Sequence, residues 1–191
     1  MHTRKIMACL AVTLDGYIAG PKGEMDWLVR DESVDFGDIL MDILEDIDAI
    51  FYGRISYELW GEYCPGPEAS PKLQEAYKLL HSKKKYVFSK TITIPRSDAI
   101  FIHSDIKATV SDILRQPGKN IWLYGGGKIV SELINLDLVD NYRLAVHPVI
   151  IGKGIPLFTG IERRSQLQLN EVQHSPAGVM MVNYNARKSN Q

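Results

Sequence analysis

Three short stretches of this sequence carry groups that recognise phosphate. Gly53-Arg54-Ile55-Ser56 offers a guanidinium and a hydroxyl, Ser89-Lys90 a hydroxyl and an ammonium, and Gly125-Gly126-Gly127-Lys128 a bare backbone followed by a lysine. Guanidinium and ammonium groups form charge-assisted hydrogen bonds with phosphate oxygens. Consecutive glycines let the chain turn sharply with no Cβ in the way, so a ligand can approach the main chain. Where a helix begins straight after such a turn, its first N–H groups lack internal partners and lie at the positive end of the helix dipole. The chemistry common to the three is anion binding. Each stretch alone also has an ordinary reading: the glycines equally fit a tight packing turn, Ser56 an N-cap and Arg54 a surface charge.

The elements that must position these groups follow from hydrophobic spacing. Each stretch comes after an apolar run, Ala49–Tyr52, Tyr86–Phe88 or Ile121–Tyr124, and each run reads as a buried strand. Helical spacing follows the first and third, toward Trp60 and over Lys128 to Leu136. Ile6 to Val12 is continuously apolar, the pattern of a central strand covered on both faces. Phe36, Ile39, Leu40, Ile43, Leu44 and Ile47 form one stripe of an amphipathic helix, with Ser33 and Asp35 as candidate N-caps. Leu73, Ala76, Tyr77 and Leu80 predict a short helix, Lys83-Lys84-Lys85 a solvated basic edge, Ala99–Ile102 a strand, and Val110, Ile113 and Leu114 another helix. Strands alternating with helices in this rhythm predict an α/β fold, with a mostly parallel central sheet and helices on both faces. After Asn135 the rhythm changes. Val139 to Ile151 is extended, Gly152 to Phe158 is a glycine-bounded loop, and Leu167–Leu169 with Val179–Tyr184 predict an antiparallel C-terminal strand pair. No linker or repeat divides the chain, so residues 1–191 read as one domain.

In an open parallel sheet, ligands bind beyond the carboxyl ends of the strands, so the three phosphate-capable stretches can face one ligand. Three such ends predict an extended ligand with several phosphates, such as a dinucleotide. Arg54 and Lys90 favour the extra phosphate of NADP, because an acidic residue is what pairs with the ribose hydroxyl of NAD. The glycine turn is not the Rossmann fingerprint, since its third glycine position holds Val130.

Composition narrows the classes further. With 22 Lys and Arg against 23 Asp and Glu, the chain lacks the broad basic footprint of a nucleic-acid binder. No apolar run is long enough to span a bilayer and no signal-peptide pattern opens the sequence, so no membrane association and a cytoplasmic location are expected. Cys9 lies in the first apolar run and reads as a small core residue. Five scattered histidines lack ligand spacing, so no metal site is expected, and His147 reads as a structural histidine rather than a base. Walker, Gly-x-Ser-x-Gly, His-Glu-x-x-His and zinc-deaminase signatures are absent. The glycine- and proline-punctuated loop from Asp15 to Trp27 still carries Tyr17, Met25 and Trp27.

Leu14-Asp15-Gly16-Tyr17-Ile18-Ala19, Gly53-Arg54-x-Ser56-Tyr57-Glu58, the Gly125–Gly127 turn into a helix, and Pro148-Val149-x-x-Gly152-x-Gly154-x-Pro156-Leu157-Phe158 occur in this order along nearly the whole chain. Together they resemble the dihydrofolate reductase-like superfamily, and within it stand-alone bacterial members related to the RibD C-terminal reductase domain of riboflavin biosynthesis. The resemblance implies a three-layer α/β fold, NADPH across the strand ends, and hydride transfer to a small heterocyclic or sugar-linked substrate. It assigns Gly53, Arg54 and Ser56 to the cofactor phosphates, Ser89 and Lys90 to the 2′-phosphate, and Gly125, Gly126, Gly127 and Lys128 to close passage of the cofactor. It places Asp15 and Gly16 among the cofactor-binding residues and Tyr17 and Trp27 at the substrate, all within the Asp15–Trp27 loop that closes over nicotinamide and excludes water. The acidic residue of dihydrofolate reductases, early in the next helix, falls near Asp35 and Asp38, either of which equally serves as a cap or surface charge. The Gly152–Phe158 segment is the riboflavin-reductase-like feature and disfavours folate reduction. The zinc-deaminase half of the bifunctional riboflavin enzyme is missing. A homodimer is expected on the same likeness, and the alternative to a reductase is a non-catalytic nucleotide-binding or interaction module on the same fold.

Overall fold

Residues 4–91 and 98–187 are described by the computed structural model. In chain order the elements are β1 (Ile6–Thr13), β2 (Tyr17–Ala19), α1 (Phe36–Glu45), β3 (Ile47–Gly53), α2 (Arg54–Trp60), α3 (Pro71–Ser82), β4 (Lys84–Phe88) and β5 (Ala99–Ile102). They continue with α4 (Ile106–Arg115), β6 (Asn120–Gly125), α5 (Gly127–Asn135), β7 (Asn141–His147), β8 (Ile155–Pro156), β9 (Leu167–His174) and β10 (Met180–Ala186). The chain forms two compact units: residues 32–124 with the start of the chain up to Lys5, and Ile6–Asp31 with the chain from Gly125 onward.

In the first unit β3 and β4 are parallel, as are β4 and β5, and β6 lies beside β3. The apolar runs that predicted these strands form its core, with Ile47, Ile50, Phe51 and Val87 fully enclosed. Aromatic rings fill the space between: Phe51 meets Tyr86 and Phe88 edge-on, and Tyr52 meets Tyr57 and Tyr124. Helix α1 packs on α3. Its N-cap is Asp35, whose carboxylate accepts from the Gly37 N–H at 2.7 Å, so of the two candidate caps the nearer one serves.

Lys85 departs from the expectation of a solvated basic edge. It is 5% exposed, and its Nζ donates to the Gly61 carbonyl at 3.0 Å and to Asp98 Oδ2 at 3.3 Å. Strand alternation turns this one lysine of the three inward, and the carbonyl at the end of α2 together with a carboxylate satisfies its charge there.

In the second unit β1 pairs in parallel with β7, β7 antiparallel with β10, and β10 antiparallel with β9. The strands of the fold are thus mostly parallel, with an antiparallel C-terminal pair. Continuous burial of Ile6, Met7, Ala8 and Cys9 matches the unbroken apolar run of β1. Strand β9, by contrast, is exposed at all eight positions. The extended reading past His147 ends early, because Pro148 has no N–H for a ladder and Ile150 points to solvent at 70% exposure. The Gly152–Phe158 segment is more ordered than a loop: its β8 pairs antiparallel with β2, Tyr17 opposite Pro156 and Ala19 opposite Ile155. Among the described residues no helix is long and apolar enough to cross a membrane.

Candidate functional site

Within the first unit, the register of two parallel strand pairs decides which residues share an edge. Gly53 lies opposite Phe88, and Phe88 opposite Ile102, so Arg54, Ser89 and His103 are the next residues on one rim of the sheet. Ser89 is buried; its N–H donates to the Ile102 carbonyl at 3.0 Å, and its Oγ accepts from the Thr91 N–H at 3.2 Å. The Ser89 carbonyl lies 2.8 Å from His103 Nδ1, and since a carbonyl only accepts, Nδ1 carries the proton there. Lys90 is exposed and Ser56 half-buried on the first turn of α2. The Arg54 guanidinium donates through Nη1 to both carboxylate oxygens of Glu58, at 3.0 and 2.8 Å. His103 belongs to this rim without any motif to announce it, and Glu58, though it ends the Gly53–Glu58 motif, has no role assigned by the sequence. Only the β4–β5 register reveals the first, and only the four-residue spacing from Arg54 hints at the second.

The second unit holds the glycine turn and the aromatic loop. The Gly125–Gly126 peptide is cis, and Gly125 has φ +117°, a conformation that side-chain-bearing residues avoid. Gly126 is the N-cap of α5 and provides no side-chain cap, so among the described residues no N-cap side chain satisfies the first N–H groups of this helix. Gly127 is glycine for a packing reason: a Cβ there would lie 2.3 Å from the Pro156 carbonyl oxygen. Lys128 is exposed.

Asp15 works inside the loop. Its carboxylate accepts from Thr13 Oγ1 at 2.6 Å and from the N–H groups of Gly152 and Ile151 at 2.8 and 3.2 Å. These bonds, the Thr13 hydroxyl foremost, hold its carboxyl below the usual aspartate range. Gly16 accepts from the Leu157 N–H at 2.9 Å, and the Tyr17 hydroxyl reaches the Gly152 carbonyl at 3.4 Å. Trp27 is buried, edge-on to His147 with ring centroids 5.4 Å apart, and its indole N–H finds no acceptor among the described residues. His147 Nδ1 accepts from the Val29 N–H at 3.1 Å, and burial pushes its pKa down. Trp27 also lines an open cavity of about 420 Å³ with Glu24, Gly152 and Lys153.

Asp35 and Asp38 both have structural employment in the first unit. Hydrogen bonds from the Ser70 side chain and the Gly37 N–H hold the Asp35 carboxyl below its ordinary range. Asp38, in the first turn of α1, forms an ion pair with Lys72.

The family model for the RibD C-terminal domain matches residues 4–181. A relative from Bacillus subtilis (strain 168), the uncharacterized protein YyaP, is 44% identical over 184 residues, covering 96% of each chain. A putative riboflavin biosynthesis protein from Shewanella sp. PV-4 shares the fold with a TM-score of 0.77 at 21% identity, over 96% of this chain and 99% of that one. Dihydrofolate reductase from Enterococcus faecalis, solved in complex with NADP(H), aligns with a TM-score of 0.62 at 15% identity, over 96% and 97% of the two chains. The chain therefore belongs to the RibD C-terminal domain family.

Proposed function

We propose that this protein is an NADPH-dependent reductase that transfers hydride to a small heterocyclic or sugar-linked substrate, similar to 5-amino-6-(5-phosphoribosylamino)uracil, in the cytoplasm and as a homodimer. The observation that carries the reading is the shared rim of β3 and β4, where Arg54, Ser89 and Lys90 follow strand ends in matched register. This donor set fits a phosphate monoester. Arg54 keeps its Nε and Nη2 donors without a partner among the described residues, and the Lys90 ammonium is in water. The same reading gives Ser56 a phosphate hydrogen bond. In the second unit it gives Lys128 and the uncapped N–H groups that follow Gly126 a cofactor contact.

Bound NADPH would supply the hydride; the protein's share is binding, orientation and exclusion of water. Asp15, just before β2, ties this loop to the Ile151–Gly152 turn, and Tyr17 and Trp27 give that loop its apolar body. The proton donor is not assigned to Asp35, since an aspartate held below its ordinary range stays ionised at neutral pH. Asp38 would have to leave Lys72 to serve. These two engaged carboxylates are what favours the second reading, a nucleotide-binding module without turnover.

Titration of nicotinamide fluorescence tests the first reading. NADPH is expected to bind, and Arg54→Ala to weaken it roughly tenfold while changing NADH less than about twofold, the scale of one lost charge-assisted hydrogen bond. A protein that binds neither dinucleotide is not this reductase. One reproducible NADPH oxidation in a screen of carbonyl and imine substrates removes the second reading.

A further inference from the structure

The solvent-facing side of α2 carries an ion pair whose geometry bears on how the rim recognises phosphate. The opposite side of the helix is tied down. Tyr57 is buried and its hydroxyl donates to Asp98 Oδ2 at 2.7 Å, while Lys85 Nζ binds the same Asp98 oxygen and the Gly61 carbonyl. Helix α2 is thereby clamped to β4, and Arg54 and Glu58, one turn apart, are left on the outer side with side chains 38% and 44% exposed. Both Glu58 oxygens accept from a single guanidinium nitrogen, Nη1. A guanidinium has five N–H donors in one plane, so the Nε–Nη2 edge remains open to an anion while a carboxylate balances the charge behind it.

Resting on the reading of Arg54 as a phosphate ligand, we infer that Glu58 sets the selectivity of this protein between phosphorylated and unphosphorylated nicotinamide dinucleotides. It is a positioning residue with two effects. Its carboxylate holds the guanidinium beside the rim of β3 and β4, and it tempers the pull of that cation on a phosphate dianion. The tempering is felt by NADPH and hardly by NADH, whose ribose hydroxyl at the same place is neutral. Because the pair is half exposed, the effect is modest and falls as salt screens it.

The test measures dissociation constants for NADPH and NADH at low and high salt, for the unaltered protein, Glu58→Gln, Arg54→Ala and the double variant. Glutamine keeps the hydrogen-bonding shape and removes the charge. At low salt Glu58→Gln is expected to tighten NADPH about threefold and to change NADH less than about twofold. The gain should shrink at high salt and vanish in the Arg54→Ala background. A helix that merely lost an ion pair would shift both dinucleotides alike, and that outcome, or weaker NADPH binding, overturns the role of Glu58. If Arg54→Ala still discriminates against NADPH in that case, the reading of Arg54 stands alone. If Arg54→Ala leaves the ratio of the two constants unchanged, the reading of Arg54 falls and the role of Glu58 with it. Glu58→Ala serves as the second variant should glutamine perturb the helix.

Discussion

The glycines of the Gly125–Gly127 turn are three residues with different reasons. Gly125 takes a positive φ, Gly126 opens α5 without a side-chain cap, and Gly127 makes room for the Pro156 carbonyl. The packing turn and the anion site, which compete as readings of the sequence, are therefore compatible: Gly127 meets the packing demand, and the proposed anion contact falls on the N–H groups that follow Gly126. Gly127→Ala puts its Cβ against backbone that cannot rotate away, so it is expected to cost about 1 to 3 kcal/mol of stability, as overpacking does. Thermal unfolding measures this. A variant as stable as the unaltered protein would mean that β8 moves aside freely. At this scale the sequence is a partial guide. Arg54 and Ser89 stand out by type and position, whereas Glu58, present in the motif, acquires a role only once its carboxylate is seen on the guanidinium.

Among the elements, the end of β7 supports the segment that follows the loop. His147 closes that strand, its ring meets Trp27, and its Nδ1 accepts the Val29 N–H. That bond needs the neutral tautomer with the proton on Nε2. Burial lowers the folded-state pKa of His147, so its contribution is fully present above the unfolded-state value of 6.5. The contribution is lost as pH falls through that value toward the lowered one in the folded protein, where the unfolded chain takes up the proton first. The protection of the Val29 amide, its exchange rate normalised to the intrinsic rate at each pH, is expected to fall as pH drops from about 7.5 to 5.5, across the ordinary histidine range. His147→Asn, which cannot titrate there, should show no such step, and a step that persists in this variant would assign it elsewhere. The pairing of β2 with β8 belongs to this scale too. Three and two residues are too short for alternation to register, and only their meeting makes them strands.

At the scale of the molecule, the expected homodimer concerns surface that the fold leaves uncovered. All eight residues of β9 are exposed, with Leu167, Leu169 and Val172 among them, and an open apolar edge strand invites another chain. Sedimentation velocity should give twice the 21.5 kDa of one chain, and Leu169→Lys should return the monomer. A monomer at micromolar concentration before substitution would remove the dimer from the proposal. The sequence by itself determined the class of fold, the order of the longer strands and helices, and family membership. Apolar periodicity and glycine punctuation are local properties, and Ile6–Val12 or Tyr86–Phe88 carry them wherever they pack. What only the tertiary structure decided was which polar groups satisfy one another across long stretches of chain. Asp15 binds the amides of Ile151 and Gly152, Lys85 turns inward to Gly61 and Asp98, and Asp35 is occupied as a cap. The physical reason is that a buried charge or hydrogen-bonding group takes whatever partner the fold brings within about 3 Å, and spacing along the chain does not encode that distance.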